Sequence, residues 1–294
     1  MHGRGRSEQF IESSLALAAL ASVAITVGIV GVLIGETVRF FQEVSLLEFL
    51  TGREWTPLFT TKKFGALPLF AGTALTSLIA MVVALPLGLL SAVYLSEYAP
   101  GRLRSVIKPA LEILAAVPTV VYGYFALQLV TPLLQRFLPG LAGFNALSPG
   151  LVMGIMILPI VSSLSEDALQ AVPVGIRESA YALGARRWQM VSSVAIPAAL
   201  SGIVSAFLLG VARAVGETMI VAIAAGLQPR LTLNPLVPVE TVTAYMVQVS
   251  MGDTPTGSLE YRTIFAVGMT LFVATFILNA FGAWLRSRWQ EAYE

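Results

Sequence analysis

The sequence predicts an all-α polytopic membrane protein on three observations. Charged residues make up 12% of its 294 residues, against roughly 25% in an ordinary soluble domain. Apolar residues make up 56% and the mean hydropathy is +0.80, more apolar side chain than a soluble domain of this size can bury. These residues recur in bilayer-length runs along the whole chain, which excludes a cytosolic enzyme and a single-span receptor. A net charge of +1 excludes the charge excess of a nucleic-acid binder. The absence of cysteine excludes disulfides, thiol nucleophiles and cysteine-ligated metals. The one histidine, His2, sits at a terminus where solvent exposure is the rule, so no histidine-based metal centre or triad is expected.

A membrane helix needs about 20 mostly apolar residues, at roughly 1.5 Å each across a core about 30 Å thick. Six stretches qualify: 15–34, 69–96 with Pro86 inside, 113–135 with Pro118 and Pro132, 147–164 interrupted by Pro159, 200–227 carrying Arg213 and Glu217, and 263–285 with Trp284 near its end. Arg4 and Arg6 precede the first, but its apolar run exceeds the roughly 7–15 residues of a signal peptide, so an uncleaved helix is expected. Six spans put both termini on one side. That side carries ten Lys and Arg in short segments near helix ends, and the other carries seven. The positive-inside rule then places both termini in the cytoplasm. The expected organisation is a cytoplasmic N-terminus (1–14), a first helix and external loop (15–68), a transmembrane core (69–285) with a cytoplasmic loop at 165–197, and a cytoplasmic C-terminus (286–294).

The stretch 40–50, FFQEVSLLEFL, has apolar residues at helical spacing and is expected to lie along the membrane surface. The external loop 228–262 is rich in Pro, Thr and Gly. It reads as a plain connector, or as a docking surface or short re-entrant element. In the loop at 165–197, Pro173 can open a helix, and RESAYALGARRW (177–188) reads as helix, glycine turn, helix. Gly184 suits a positive φ closing the first short helix. Ala180, Ala182 and Ala185 are small enough to admit another surface closely. Arg186, Arg187 and Trp188 follow the turn, and a membrane-anchoring surface loop is the blander alternative.

Glu178-x-Ala180, then Gly184, then VAIP at 194–197, resembles the EAA loop of ABC importer permeases. The family pattern is EAA, three residues, Gly, nine residues, Ile-x-Leu-Pro. Ser179, Val194 and Ile196 depart from it, whereas Glu178, Ala180, Gly184 and Pro197 match in register. Along most of the chain from Trp55, the segments WTPLF (55–59), FGALPLFAGTALTSLIA (64–80), LSEYAPGRLR (95–104), EILAAVPTVVYG (112–123), ARAVGETM (212–219) and YRTIFAVGM (261–269) resemble phosphate-specific permeases, more the PstC type than its PstA-type partner. The resemblance implies a MetI-like ABC permease architecture. It implies a coupling role for Glu178, Ala180, Gly184, Arg186 and Arg187 against a PstB-type ATPase dimer, which would bind the ATP and Mg. The other implied partners are a paralogous PstA-type permease and an external PstS-type phosphate-binding protein, with phosphate as substrate and the lipid bilayer as solvent. No cofactor is expected on this chain.

No Gly-Lys dipeptide occurs among the lysines Lys62, Lys63 and Lys108, so no Walker A loop is present to cradle ATP. G-x-S-x-G and H-E-x-x-H are absent too. Within the spans stand Arg213 and Glu217. An Arg at that depth costs roughly 2.5–3.5 kcal/mol on insertion scales. Spacing of i, i+4 lets Glu217 pair with it. The pair is either an internal structural link or part of a path, and intramembrane charges usually face cavities. A guanidinium stays charged and donates two parallel hydrogen bonds to an oxyanion. A competing Glu217 would keep such a site weak enough for the ion to leave. Gly216 is expected to serve packing, with local unwinding as the alternative. Glu166 and Asp167 are expected as solvated loop acids, with ion pairs to Arg177 or a partner as the alternative, and Glu112 is expected at the membrane interface. Thr119 and Tyr122 are expected either to line a path or to pack in a helix kinked at Pro118. Sulfate, molybdate or another oxyanion would also suit an Arg-lined path, and an ion-coupled secondary transporter is the remaining alternative.

Overall fold

A computed structural model describes residues 6–289. His2 and Arg4 lie outside the described residues, as does the end of the C-terminal segment from 290 on. Among the described residues the regular structure is helical, with isolated bridges pairing Trp55 with Phe64 and Gly226 with Val239. The helices are α1 (Arg6–Glu43), α2 (Leu46–Thr51), α3 (Leu67–Val93, continued by a π-turn Tyr94–Tyr98), α4 (Gly101–Ala116), α5 (Thr119–Gln135), α6 (Leu147–Gln170), α7 (Val174–Ala182), α8 (Arg187–Ala198), α9 (Leu200–Val215), α10 (Met219–Ala224), α11 (Val242–Met251) and α12 (Leu259–Trp289).

Four helices are long and apolar enough to cross a bilayer: α1, α3 with its π-turn, α6 and α12. Counting each of two bent pairs as one span brings the number to six. Around the N-terminal part of α1, Leu17, Leu20, Ile25 and Ile29 are all exposed; apolar side chains on every face suit a lipid surround.

Several expected boundaries shift. The first helix does not end at 34 but runs to Glu43. The 40–50 stretch does not simply lie on a membrane surface. Phe40 and Phe49 are fully buried in an aromatic cluster with Trp55, Phe64 and Tyr245, while Leu46 and Leu47 stay exposed. The expected span 113–135 is broken at Val117–Pro118, where the chain turns by 89°. Pro118 has no N–H to continue the helix and pushes the preceding Val117 into an extended conformation, with ψ 130°, so the result is a corner rather than a kink. Tyr122 is buried, and its hydroxyl donates to Leu114 O across this corner at 2.7 Å. The stretch 200–227 is also not one helix: α9 stops at Val215 and α10 begins at Met219. The loop expected to start at 165 starts later, because α6 continues to Gln170.

The α3 helix organises the fold. Its middle, at Ala80 and Ala84, lies in a core with Met153, Ile157, Val161 and Ala214. One end, at Leu69, joins the aromatic cluster. The other, at Ala92, meets Leu169 of α6, Val172 after it, and Ala180, Met190 and Val191 from the α7–α8 hairpin. The molecule thus has a hairpin end and an aromatic end.

Candidate substrate path and coupling hairpin

The hairpin is built by local chemistry. Pro173, at φ −55° and ψ 139°, starts α7. Gly184 has φ +81°, as its position in the sequence led us to expect. Its N–H donates to Tyr181 O at 2.9 Å, and the Ala185 N–H donates to Ala180 O at 3.1 Å. These two bonds form a Schellman closure. The Arg186 N–H then donates to the Gln189 side-chain Oε1 at 2.8 Å to start α8. Glu178, Arg186, Tyr181, Leu183 and Trp188 are exposed. Ala180 is buried in the hairpin's own cluster, so the close approach that its size allows is made within the chain. The Arg187 guanidinium sits 4.8 Å from the Tyr98 ring centroid at the end of α3, a cation–π contact.

Buried carboxylates tie this end together. Arg177 of α7 donates to Glu97 Oε1 at 2.5 Å and to Leu169 O at 2.5 Å, and the Glu97 side chain is 5% exposed. Glu166 is not a solvated loop acid: it lies inside α6, fully buried, with Arg104 at 2.7 Å and Lys108 at 3.4 Å. A buried carboxylate needs such cations to offset its lost hydration. Asp167 stays exposed and pairs with Lys108 at 3.3 Å. Arg104 and Lys108 belong to α4, so this cluster docks α4 onto α6. The alternative pairing of Glu166 or Asp167 with Arg177 is not formed either: Arg177 pairs with Glu97. Glu112 is exposed on α4.

At the second break, Arg213 and Glu217 meet as their spacing predicts, with Nη1 to Oε2 at 3.3 Å. Their surroundings differ: the Glu217 side chain is 2% exposed, the Arg213 side chain 42%. Glu217 Oε1 accepts from the backbone N–H groups of Met219 at 3.2 Å and Ile220 at 3.4 Å, capping α10. The Thr243 hydroxyl of α11 donates to Glu217 O at 2.6 Å. Arg213 lies in the last turn of α9, where a cation complements the helix dipole. The break therefore creates two helix ends within an apolar stretch of the chain, and each receives a side chain of the right sign. Gly216 does not serve packing, because a Cβ there would meet only Ala212 O, at 3.4 Å; it is the point where α9 unwinds. Arg213 also approaches Met156 Sδ at 3.9 Å, and the remainder of its half-exposed guanidinium can accept an oxyanion.

A family model for the binding-protein-dependent transport system inner membrane component matches residues 84–291. The chain belongs to this family. This permease is 34% identical to the probable ABC transporter permease protein YqgH of Bacillus subtilis (strain 168), over 96% of this chain and 91% of that protein. It is 34% identical to the phosphate transport system permease protein PstC of Mesorhizobium japonicum, over 91% and 87%, and 31% identical to PstC of Haemophilus influenzae, over 90% and 88%. Among solved structures it resembles a bacterial ABC transporter involved in alginate import, with a TM-score of 0.64, 16% identity, and coverage of 98% of this chain and 100% of that one. The MetNI methionine ABC transporter gives 0.57 at 19% identity, covering 77% and 95%. These likenesses establish the ABC importer permease fold of a multi-pass membrane protein.

Sequence reasoning missed Glu97, Arg104 and Lys108 as partners, because Glu97 lies 80 positions from Arg177 and the two cations lie about 60 positions from the acids they bind. It also passed over Glu240, in the connection before α11. Glu240 is 1% exposed, and burial pushes its carboxyl up to about 8. Its backbone crosses α3 at Gly72, where a Cβ would lie 2.2 Å from Glu240 O, so only glycine admits the crossing.

Proposed function

We propose that this chain is the PstC-type membrane subunit of an ATP-driven inorganic phosphate importer. The observation that carries the reading is the half-exposed Arg213 beside buried Glu217, at a helix break in a chain whose curated relatives include phosphate transport permeases. In this reading a paralogous PstA-type permease completes the path, and both termini are cytoplasmic. A PstB-type ATPase dimer, which binds ATP and Mg, docks on Glu178, Gly184, Arg186 and Arg187. Ala180 supports that surface from within. An external PstS-type protein delivers phosphate.

The roles of the residues follow from their chemistry. Arg213 offers a planar fork of donors that matches phosphate oxygens. Glu217 is held by two backbone N–H groups and cannot swing away, so phosphate must share the guanidinium with a fixed carboxylate. That competition keeps the stop brief. Movement of the hairpin reaches α3 through Arg177 and Glu97 and reaches α4 through the Glu166 cluster.

The test is phosphate uptake at low micromolar concentration in cells lacking this chain, with and without its restoration. Restored uptake that arsenate blocks and sulfate does not, and that Glu178→Arg abolishes with the subunits still inserted, supports the reading. Uptake unchanged by Glu178→Arg moves weight to an ion-coupled transporter. An assembled complex that carries sulfate or molybdate instead corrects the substrate.

A further inference from the structure

At the aromatic end a cavity of about 150 Å³ opens between the connection before α3, the connection after α10, and α11. Its buried wall is Trp55, Tyr245 and Glu240, and its rim carries the exposed Leu58 and Phe59 and the half-buried Pro229. The Trp55 and Tyr245 rings stand edge to face at 5.1 Å and 83°, which fixes the wall. Glu240 Oε1 is buried and has no hydrogen-bond partner in the protein. Unlike Glu97, Glu166 and Glu217, Glu240 has no Lys or Arg paired with it among the described residues. Proteins avoid leaving a buried carboxyl oxygen unmatched, because its lost hydration is then not offset.

We propose that this cavity receives a lysine or arginine side chain of the external solute-binding partner, with Glu240 as its counter-charge. The inference rests on the function proposed above, which puts this face outside the cell. Three features choose the occupant. No Lys, Arg or His lines the cavity, so it offers no cation to hold an anion and is not a second phosphate stop. The aromatic wall suits an ammonium or guanidinium, which aromatic rings also attract. Exposed Leu58, Phe59, Leu231 and Leu233 lie in the two connections that form the mouth, giving an apolar margin around one buried charged contact, the usual anatomy of a strong anchor. The titratable groups around Glu240 are Tyr245 on α11 and, beyond it, Glu260 on α12, which is paired with Lys62. Neither competes as a cation. An incoming cation would draw the proton from Glu240 and form a buried, charge-assisted contact.

The experiment uses the complete transporter in lipid nanodiscs and its own purified binding protein. Docking is measured by fluorescence anisotropy for the wild type and for Glu240→Gln, which keeps the shape and removes the charge. Basal ATPase activity and subunit stoichiometry check that the variant is assembled. The proposal expects docking to weaken about tenfold or more, the size of a lost buried charge contact. It also expects one surface Lys→Met or Arg→Met change on the binding protein to cause the same loss, with no further loss when combined with Glu240→Gln. Equal docking of Glu240→Gln, or additive losses for every basic position tested, overturns the anchor and leaves the proposed function standing. No docking by the wild-type transporter overturns both.

Discussion

The two ends of α3 are held by different physics. At the hairpin end, three buried or half-buried cation–carboxylate contacts link α3, α4, α6 and α7: Arg177 with Glu97, and Arg104 and Lys108 with Glu166. At the aromatic end, Phe40, Phe41, Phe49, Phe64, Trp55 and Tyr245 interlock edge to face with centroids 5.1–6.0 Å apart, and the buried carboxyl of Glu240 has no cation paired with it among the described residues. Apolar interlocking is short-ranged and resists displacement, because sub-ångström gaps already lose contact energy. Ion pairs fall off slowly with distance and can be re-made with new partners. Under the proposed function, this contrast would make the hairpin end the one that transmits movement and the other end a rigid platform.

Phe40→Ala attacks the platform and carries the largest expected stability effect. Phe40 is fully buried against three phenylalanines, and Phe→Ala in a core costs about 3–5 kcal/mol. Thermal melting in detergent should fall accordingly, while uptake per inserted molecule stays near wild type. Loss of uptake per molecule would show that this end also moves.

Arg177→Met attacks the transmission side. It strands Glu97 without its cation, at a cost of about 3 kcal/mol. It should also uncouple uptake from ATP hydrolysis, and the exchange Arg177→Glu with Glu97→Arg should recover part of the uptake. Glu166→Gln is milder, about 1–2 kcal/mol, because an amide keeps a hydrogen bond to Arg104 while losing the charge. Limited proteolysis should then cut the α3–α4 connection sooner.

The effect of Glu240→Gln depends on pH in size and vanishes at the acid end. The folded carboxyl is raised to about 8 from a reference value of 4.5. Between these values the folded state keeps a proton that the unfolded chain has released, so wild-type stability falls as pH rises through that window. Melting of wild type and variant should coincide near pH 4.5 and diverge towards pH 8.5, with the variant the more stable. Parallel curves would mean that Glu240 is ionised when folded.

Local features were legible in the sequence. Apolar runs located the membrane helices, Gly184 announced its left-handed turn, and the i, i+4 spacing of Arg213 and Glu217 foretold their contact. What the sequence hid is long-range or competitive. Pro118 signalled an interruption, but the 89° corner also depends on Tyr122 reaching Leu114. The end of α9 at Gly216 depends on Glu217 being able to satisfy the N–H groups of α10, which apolar spacing does not register. Glu166 resembled a loop acid because its run of apolar residues stops at Leu164; its burial is set by cations on another helix. Residues 35–43 were read as loop because they carry charges, although two of these, Glu36 and Glu43, pair with Arg262 on α12.

The most direct test of the central claim is radiolabelled phosphate uptake by cells carrying Arg213→Gln or Arg213→Lys, with complex assembly verified. The account predicts uptake reduced at least about tenfold for Gln, the consequence of removing a charged hydrogen-bonding partner from the path. It predicts an intermediate rate for Lys, which keeps the charge but not the fork. Wild-type uptake by both variants would contradict it, leaving Arg213 and Glu217 as a structural pair at a helix break.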